Sequence, residues 1–157
     1  MTTDVTTTEN STAADIREAM THRILVLDGA MGTMIQRLGL PEEAYRCDEA
    51  ADAPALKGCN DLLCLTRPDE IAAIHRMYLD AGADIIETNS FNANAISLAD
   101  YGISHLARTI SRAAAGVARR AVELSWRRAW VAGSIGPTSK SLAMSRGIDG
   151  ADGTNPI

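Results

Sequence analysis

The chain is 157 residues long, with a formal net charge of −5, 46% hydrophobic and 22% charged residues, and three cysteines. That balance fits one folded domain with a real core and excludes a disordered chain, while the acidic charge argues against a nucleic-acid surface. No run approaches the ~18 apolar residues of a membrane span. An odd set of cysteines at positions 47, 59 and 64 does not read as a disulfide framework, so the expected compartment is the cytoplasm.

Residues 1–12, MTTDVTTTENST, lack both an apolar core and a basic start, and read as a disordered tail rather than a signal peptide. Ser11 or Thr12 is placed to cap a short helix over TAADIREAM, where Ile16 and Met20 share a face. RILVLD (23–28) is an apolar run of strand length, of the kind buried on both faces of a parallel sheet. GTMIQRLG (32–39) suits a helical turn or two closed by Gly39. Residues 41–65 hold Pro41, Pro54, Gly58 and the pair Asn60-Asp61, and read as a long irregular excursion, functional or lid-like.

Pro68 opens a helix with Ile71, Ile74, Tyr78 and Leu79 on one face and Gly82 at its end. ADIIETN (83–89) is a second short strand. Past Gly102, the segment 106–124 places Leu106, Ile110, Ala114, Val117, Ala121 and Leu124 on one stripe. The basic cluster Arg119-Arg120 with Arg127-Arg128 reads as a solvated helix face, and WVAGSIGP (130–137) as the third strand and turn. The order is strand, excursion, helix, strand, two helices, strand. Such alternation predicts an α/β fold with a parallel sheet, either an open sheet or part of a (β/α) barrel.

In both architectures ligands bind at the carboxyl ends of the strands. Those ends are Asp28-Gly29-Ala30-Met31-Gly32, Glu87-Thr88-Asn89 and Ser134-Ile135-Gly136-Pro137. A carboxylate at such a mouth can hold an ammonium group through a charge-assisted bond. Each residue also has a plainer role open to it. Asp28 can cap the following helix, Glu87 can pair with an arginine, and the glycines can simply permit a tight turn. GAMGT is neither a dinucleotide fingerprint nor a P-loop, and Asp28 would repel a phosphate placed there. His22, His75 and His105 lack ligand pairing, and the cysteines lack C-x-x-C spacing.

ILVLDGAMGTMIQ, KGCNDLLCLTRPDEIAAIHRMYLDAGADIIETNSFNAN and VAGSIGPT follow one another over residues 23–140. In these words the chain resembles the homocysteine S-methyltransferase family, and within it the amino-terminal homocysteine-binding domain of the cobalamin-dependent methionine synthases. The resemblance implies a (β/α)8 TIM-type barrel, of which residues 13–157 would be the amino-terminal portion, about three βα units, incomplete at the carboxyl end. It implies methyl transfer to the zinc-bound thiolate of homocysteine to give methionine. The donor would be methylcobalamin, recharged from methyltetrahydrofolate by further domains of the same polypeptide.

Carried over by position, Asp28 would hold the ammonium of homocysteine, and the backbone N–H groups of Gly29, Ala30 and Met31 its carboxylate. Thr88 and Asn89 would line the mouth, while Gly32, Gly136 and Pro137 would shape the loops. The resemblance puts the family's zinc cysteines beyond Ile157, on later segments of the barrel, and Cys47, Cys59 and Cys64 do not match them. The expectation is therefore no catalytic residue and no metal ligand in this chain, and neither zinc nor cobalamin bound to it alone. The expected partners are homocysteine and the remaining barrel and cofactor domains, without nucleic acid or membrane. Two other readings stay open at this point: a catalytically inactive binding module acting through an open sheet edge, and an α/β phosphate or nucleotide binder.

Overall fold

The computed structural model describes residues 15–138 and 140. The threonine-rich tail, the Ser11 or Thr12 cap and the closing GIDGADGTNPI, with Ile157 as its last residue, lie outside the described residues. The expectation that the zinc cysteines fall beyond Ile157 therefore also lies outside them. Within them, helix α1 covers residues 15–22, and an extended segment then runs to Asp28. That segment pairs with the next strand through one bridge, Leu27 with Ile85, and through the hydrogen bond from Asp28 N–H to Ile85 O at 2.9 Å. Helix α2 (Met31–Arg37) follows, its end turned by Gly39 at φ +60°.

The first strand, expected to be buried on both faces, is instead open, with Ile24 89%, Val26 54% and Leu27 49% exposed. A parallel strand is buried only when sheet partners and helices cover it, and the described residues provide a partner on one edge.

The excursion is the larger surprise. It folds as three single 3-10 turns, Glu42–Tyr45, Asp48–Ala50 and Asn60–Leu62, running into the short helix α3 (Leu63–Thr66). Far from a lid, it supplies Tyr45, Leu56, Leu62 and Leu63 to the main core, packed with Ile71, Ile74 and Ile110. Glu42 stitches it together by accepting the backbone N–H groups of Leu56 and Lys57 at 2.9 and 2.8 Å.

Helix α4 (Pro68–Asp80) starts on its proline and buries Ile71, Ala72, Ile74, His75 and Leu79. Tyr78, expected on that face, is partly buried against the core. Gly82 turns the chain at φ +106°, and strand β1 (Ile85–Glu87) begins three residues later. Helices α5 (Ala95–Ala99) and α6 (Ala107–Glu123) lead to strand β2 (Trp130–Ala132), parallel to β1 with Ile86 opposite Val131. The buried stripe of α6 is Ile110, Ala114, Ala118 and Ala121. Ala118 is buried in place of the expected Val117, which is partly buried, and Leu124, just past the helix end at Glu123, is 66% exposed. These alanines let α6 lie close to α4 and β1, where Leu79, Ala83 and Ile86 form a second small core.

The basic cluster divides. Arg119 and Arg120 are exposed on α6, as a solvated face requires, whereas Arg127 and Arg128 leave the helix. Arg127 lies 3.7 Å from Asp84, and Arg128 pairs with Asp15. Asp84, 3% exposed, also takes a two-pronged bond from Arg23 at 2.7 and 2.9 Å and the Val26 N–H at 3.0 Å. One carboxylate thus ties together the amino ends of all three strand segments, and the arginine beside it holds its pKa below the usual range.

Candidate functional site

At the opposite, carboxyl ends of the strands lies a cavity of about 370 Å³, within the size range of small-molecule pockets. Three loops meet there. The first contributes Asp28 to Gly32, the second Glu87, Thr88, Asn89, Phe91 and Asn92, and the third Ser134. The 3-10 turn after Gly58 adds Asn60 and Asp61.

Asp28 does not cap α2: the N-cap is Ala30, and no side chain caps that helix. Its Oδ2 accepts the N–H of Glu87 across the strand pair at 3.1 Å. Its Oδ1 is buried and has no hydrogen-bond partner among the described residues. Burial, reinforced by the neighbouring Glu87 carboxylate and only partly offset by the Glu87 N–H, pushes the pKa of Asp28 up to about 6. The backbone N–H groups of Gly29, Ala30 and Met31, just after it, donate to no described residue. Gly29 rides over the ring of Tyr78, where an added Cβ would stand 3.3 Å from Cε1. Glu87 forms no ion pair with an arginine among the described residues.

Thr88 and Asn89 border the cavity, yet both are buried and their donors are spent inside the protein. Ser134 N–H donates to Thr88 Oγ1 at 2.9 Å, and Ser90 Oγ donates to Ser134 O at 2.9 Å. The hydroxyl of Thr88 therefore gives its proton to Ser90 Oγ, 2.7 Å away. The ring so closed locks the loops after β1 and β2 to each other. Asn89 Nδ2 donates to Asn60 O at 2.8 Å and lies 3.5 Å from Cys64 Sγ, fixing the excursion to the end of β1.

Gly32 lines the cavity, and Gly136 shapes its wall from behind: its N–H donates to Phe91 O at 2.9 Å, and an added Cβ would fall 2.5 Å from that oxygen. Pro137 is exposed and does not border the cavity.

Asn60, Asp61, Phe91 and Asn92 join the site without having been expected there from the sequence. Asp61 is 3% exposed, accepts the Asn92 N–H at 2.9 Å, and has its pKa raised by burial. The one clue in the sequence is an Asn-Asp pair just after a glycine turn. The lining holds three carboxylates, Asp28, Asp61 and Glu87, and no Lys, Arg or His. Such a surface attracts a cation and repels a phosphate.

Burial pushes Cys59 up to about 11 and Cys64 up to about 12, and also raises Cys47, so all three favour the protonated thiol over the metal-binding thiolate. No group of three His, Cys, Asp or Glu residues able to hold a metal occurs among the described residues. No described helix is long and apolar enough to cross a membrane.

Comparison with known proteins agrees with the geometry. Residues 25–155 match the family described as homocysteine S-methyltransferase. Among solved structures, the chain is similar to the homocysteine methyltransferase MmuM from Escherichia coli. With the metallated form it shares 24% identity at a TM-score of 0.58, covering 78% of this chain and 41% of that one. With the oxidized form it shares 26% identity at a TM-score of 0.55, covering 73% of this chain and 37% of that one. The chain thus spans about two fifths of the length of these relatives. With its acidic cavity at the strand ends and its family match over residues 25–155, the chain belongs to the homocysteine S-methyltransferase family.

Proposed function

We propose that this chain grips the amino-acid end of homocysteine, as part of a site where the sulfur is methylated to give methionine. The observation that carries the reading is the pairing at one strand end of the Asp28 carboxylate with the three N–H groups of Gly29, Ala30 and Met31, which donate to no described residue. A carboxylate matches an ammonium, and adjacent backbone N–H groups match a carboxylate, so the loop reads both charges of a free amino acid. The acidic lining supports the same reading against a phosphate or nucleotide ligand.

The finer assignment places the chain in the cobalamin-dependent methionine synthase branch, as the first three βα units of a (β/α)8 barrel. It rests on the wording of DGAMGT and GADIIETNSFN. In that assignment methylcobalamin is the donor, other domains of the polypeptide are the partners, and the cytoplasm is the location. No group of three His, Cys, Asp or Glu residues able to hold a metal occurs among the described residues, so the proposed task of these residues is to bind and orient the amino acid.

Titration calorimetry tests the proposal. L-homocysteine should bind, 4-mercaptobutanoate, which lacks the ammonium, should not, and ATP should neither bind nor stabilise. Stabilisation by ATP and not by homocysteine would overturn it. A second reading, an interaction module, draws on the exposed Ile24, Val26 and Leu27 of the first extended segment. Concentration-dependent oligomers on sizing would favour it.

A further inference from the structure

We propose that the side-chain amide of Asn60 donates to the carboxylate of the bound amino acid, joining the loop after the first strand in selecting a ligand that carries one. This rests on the homocysteine reading above.

Asn60 borders the cavity as the first residue of the 3-10 turn Asn60–Leu62. Its backbone is fixed. The N–H donates to Gly58 O at 2.9 Å, the carbonyl accepts Asn89 Nδ2 at 2.8 Å, and the flanking Cys59 and Asp61 are 2% and 3% exposed. The side chain is the exception. Half-buried, it bonds to no described residue, whereas the amide of Asn89 is spent on Asn60 O. A rigid backbone thus carries a polar group whose hydrogen bonds are left for whatever enters the cavity.

The amide also stands beside the loop that would receive the carboxylate. Asn60 Nδ2 lies 3.8 Å from where a Cβ on Gly32 would be, and no other described atom from elsewhere in the chain comes within 4 Å of that point. Glycine at 32 therefore leaves open space where the amide meets the segment Gly29–Met31, whose three N–H groups donate to no described residue.

Charge explains why an uncharged side chain serves there. The lining holds three carboxylates and no Lys, Arg or His, so a ligand carboxylate meets repulsion and no cation. Neutral donors must hold it, and an amide supplies one without cancelling the charge that Asp28 offers to the ammonium. An amide is both donor and acceptor, and a carboxylate selects the donor.

The experiment titrates the full chain with L-homocysteine and with 3-aminopropane-1-thiol, which is homocysteine without its carboxylate. It uses wild type, Asn60→Ala, Asn60→Asp and Asp28→Asn, with Leu124→Ala as an exposed control outside the cavity. Asn60→Ala should weaken homocysteine about three- to tenfold, spare the aminothiol and leave the unfolding midpoint unchanged. Asn60→Asp keeps the shape but sets a carboxylate against a carboxylate, so it should weaken homocysteine more than alanine does, while the aminothiol holds or tightens. Asp28→Asn should weaken both ligands. A purely structural role would reverse the order, making the isosteric aspartate the milder change. If wild type binds homocysteine and needs Asp28, yet Asn60→Ala is silent, weakens both ligands alike or is worse than Asn60→Asp, the inference falls and the homocysteine reading stands. Where the aminothiol binds too weakly to titrate, the order of the two Asn60 variants on homocysteine decides. If wild type does not bind homocysteine, both fall.

Discussion

Replacing Asp28 by asparagine separates what the site gives to binding from what it costs the fold. Asparagine keeps the shape, and its carbonyl can accept the Glu87 N–H that Asp28 Oδ2 accepts at 3.1 Å. What disappears is a charge that burial disfavours, since the pKa moves from 3.8 to about 6. Two pH units at 1.36 kcal/mol each set a ceiling of about 3 kcal/mol, and solvent on the cavity side reduces the expected gain to about 1 kcal/mol. Asp28→Asn should therefore unfold at higher denaturant than wild type at pH 8.

The sign can be checked by titration. The folded pKa lies above the unfolded one, so the penalty on wild type is complete above pH 6 and relieved as the pH falls toward 4. The gap between the two proteins should close over that window. Binding should move the other way. Losing a charge-assisted bond to the ammonium costs about 1.5–3 kcal/mol, or roughly 10- to 100-fold in the Kd for homocysteine. Wild-type binding should itself weaken below pH 6 as Asp28 takes a proton. A variant less stable than wild type at pH 8, or one binding homocysteine equally well, would refute the argument.

His75 offers a second pH test. It is fully buried, neither ring nitrogen has a partner among the described residues, and burial pushes its pKa down to about 4. Unfolded chains take up that proton near pH 6.5, so stability should fall by about 3 kcal/mol between pH 7 and 4, and His75→Leu should abolish most of that fall in chemical denaturation. At the other end of the sheet, Asp84→Ala removes the acceptor of the Arg23 bonds and of the Val26 N–H and should cost about 1–2 kcal/mol; no measurable loss would show that the arginines simply turn to solvent. Thr88→Val preserves shape but strands the Ser134 N–H, so it should cost about 1–3 kcal/mol and speed amide exchange at Ser134; unchanged exchange would mean the hydroxyl ring does not hold the loops.

The strand ends were legible in the sequence because each polar group follows directly on a short apolar run, and parallel topology then gathers those ends. Asn60 and Asp61 were not legible. They reach the cavity through 3-10 turns, which leave no hydrophobic period, and their placement depends on Asn89 and Asn92, about thirty positions away. Phe91 was hidden for a similar reason, since its position is set by a glycine on another loop. The exposure of Val26 and Leu27 was equally beyond pattern reading: an apolar run predicts a strand, while its burial depends on what covers it. The α6 stripe shifted by one residue from Val117 to Ala118 and lost Leu124, because periodicity gives a face to within a residue and leaves the helix end undetermined.

Two aspartates at opposite ends of the same sheet show why position decides chemistry here. Asp84, at the amino ends, meets two arginines and a backbone N–H, and its pKa is lowered, with the Arg23 bond the largest cause. Asp28, at the carboxyl ends, meets one backbone N–H and another carboxylate, and its pKa is raised, with burial the largest cause. The residue type is the same and the shifts are opposite. A carboxylate whose partner is built into the fold stabilises that fold. One without such a partner weakens it, and the difference is recovered when a cation arrives. In the proposed site homocysteine would bring that cation together with a carboxylate for the adjoining N–H groups, so the instability of Asp28 in the free protein and the proposed selectivity for a zwitterion would be two readings of one arrangement. If so, homocysteine should raise the unfolding midpoint of wild type more than that of Asp28→Asn at pH 8, and the two increments should converge near pH 4.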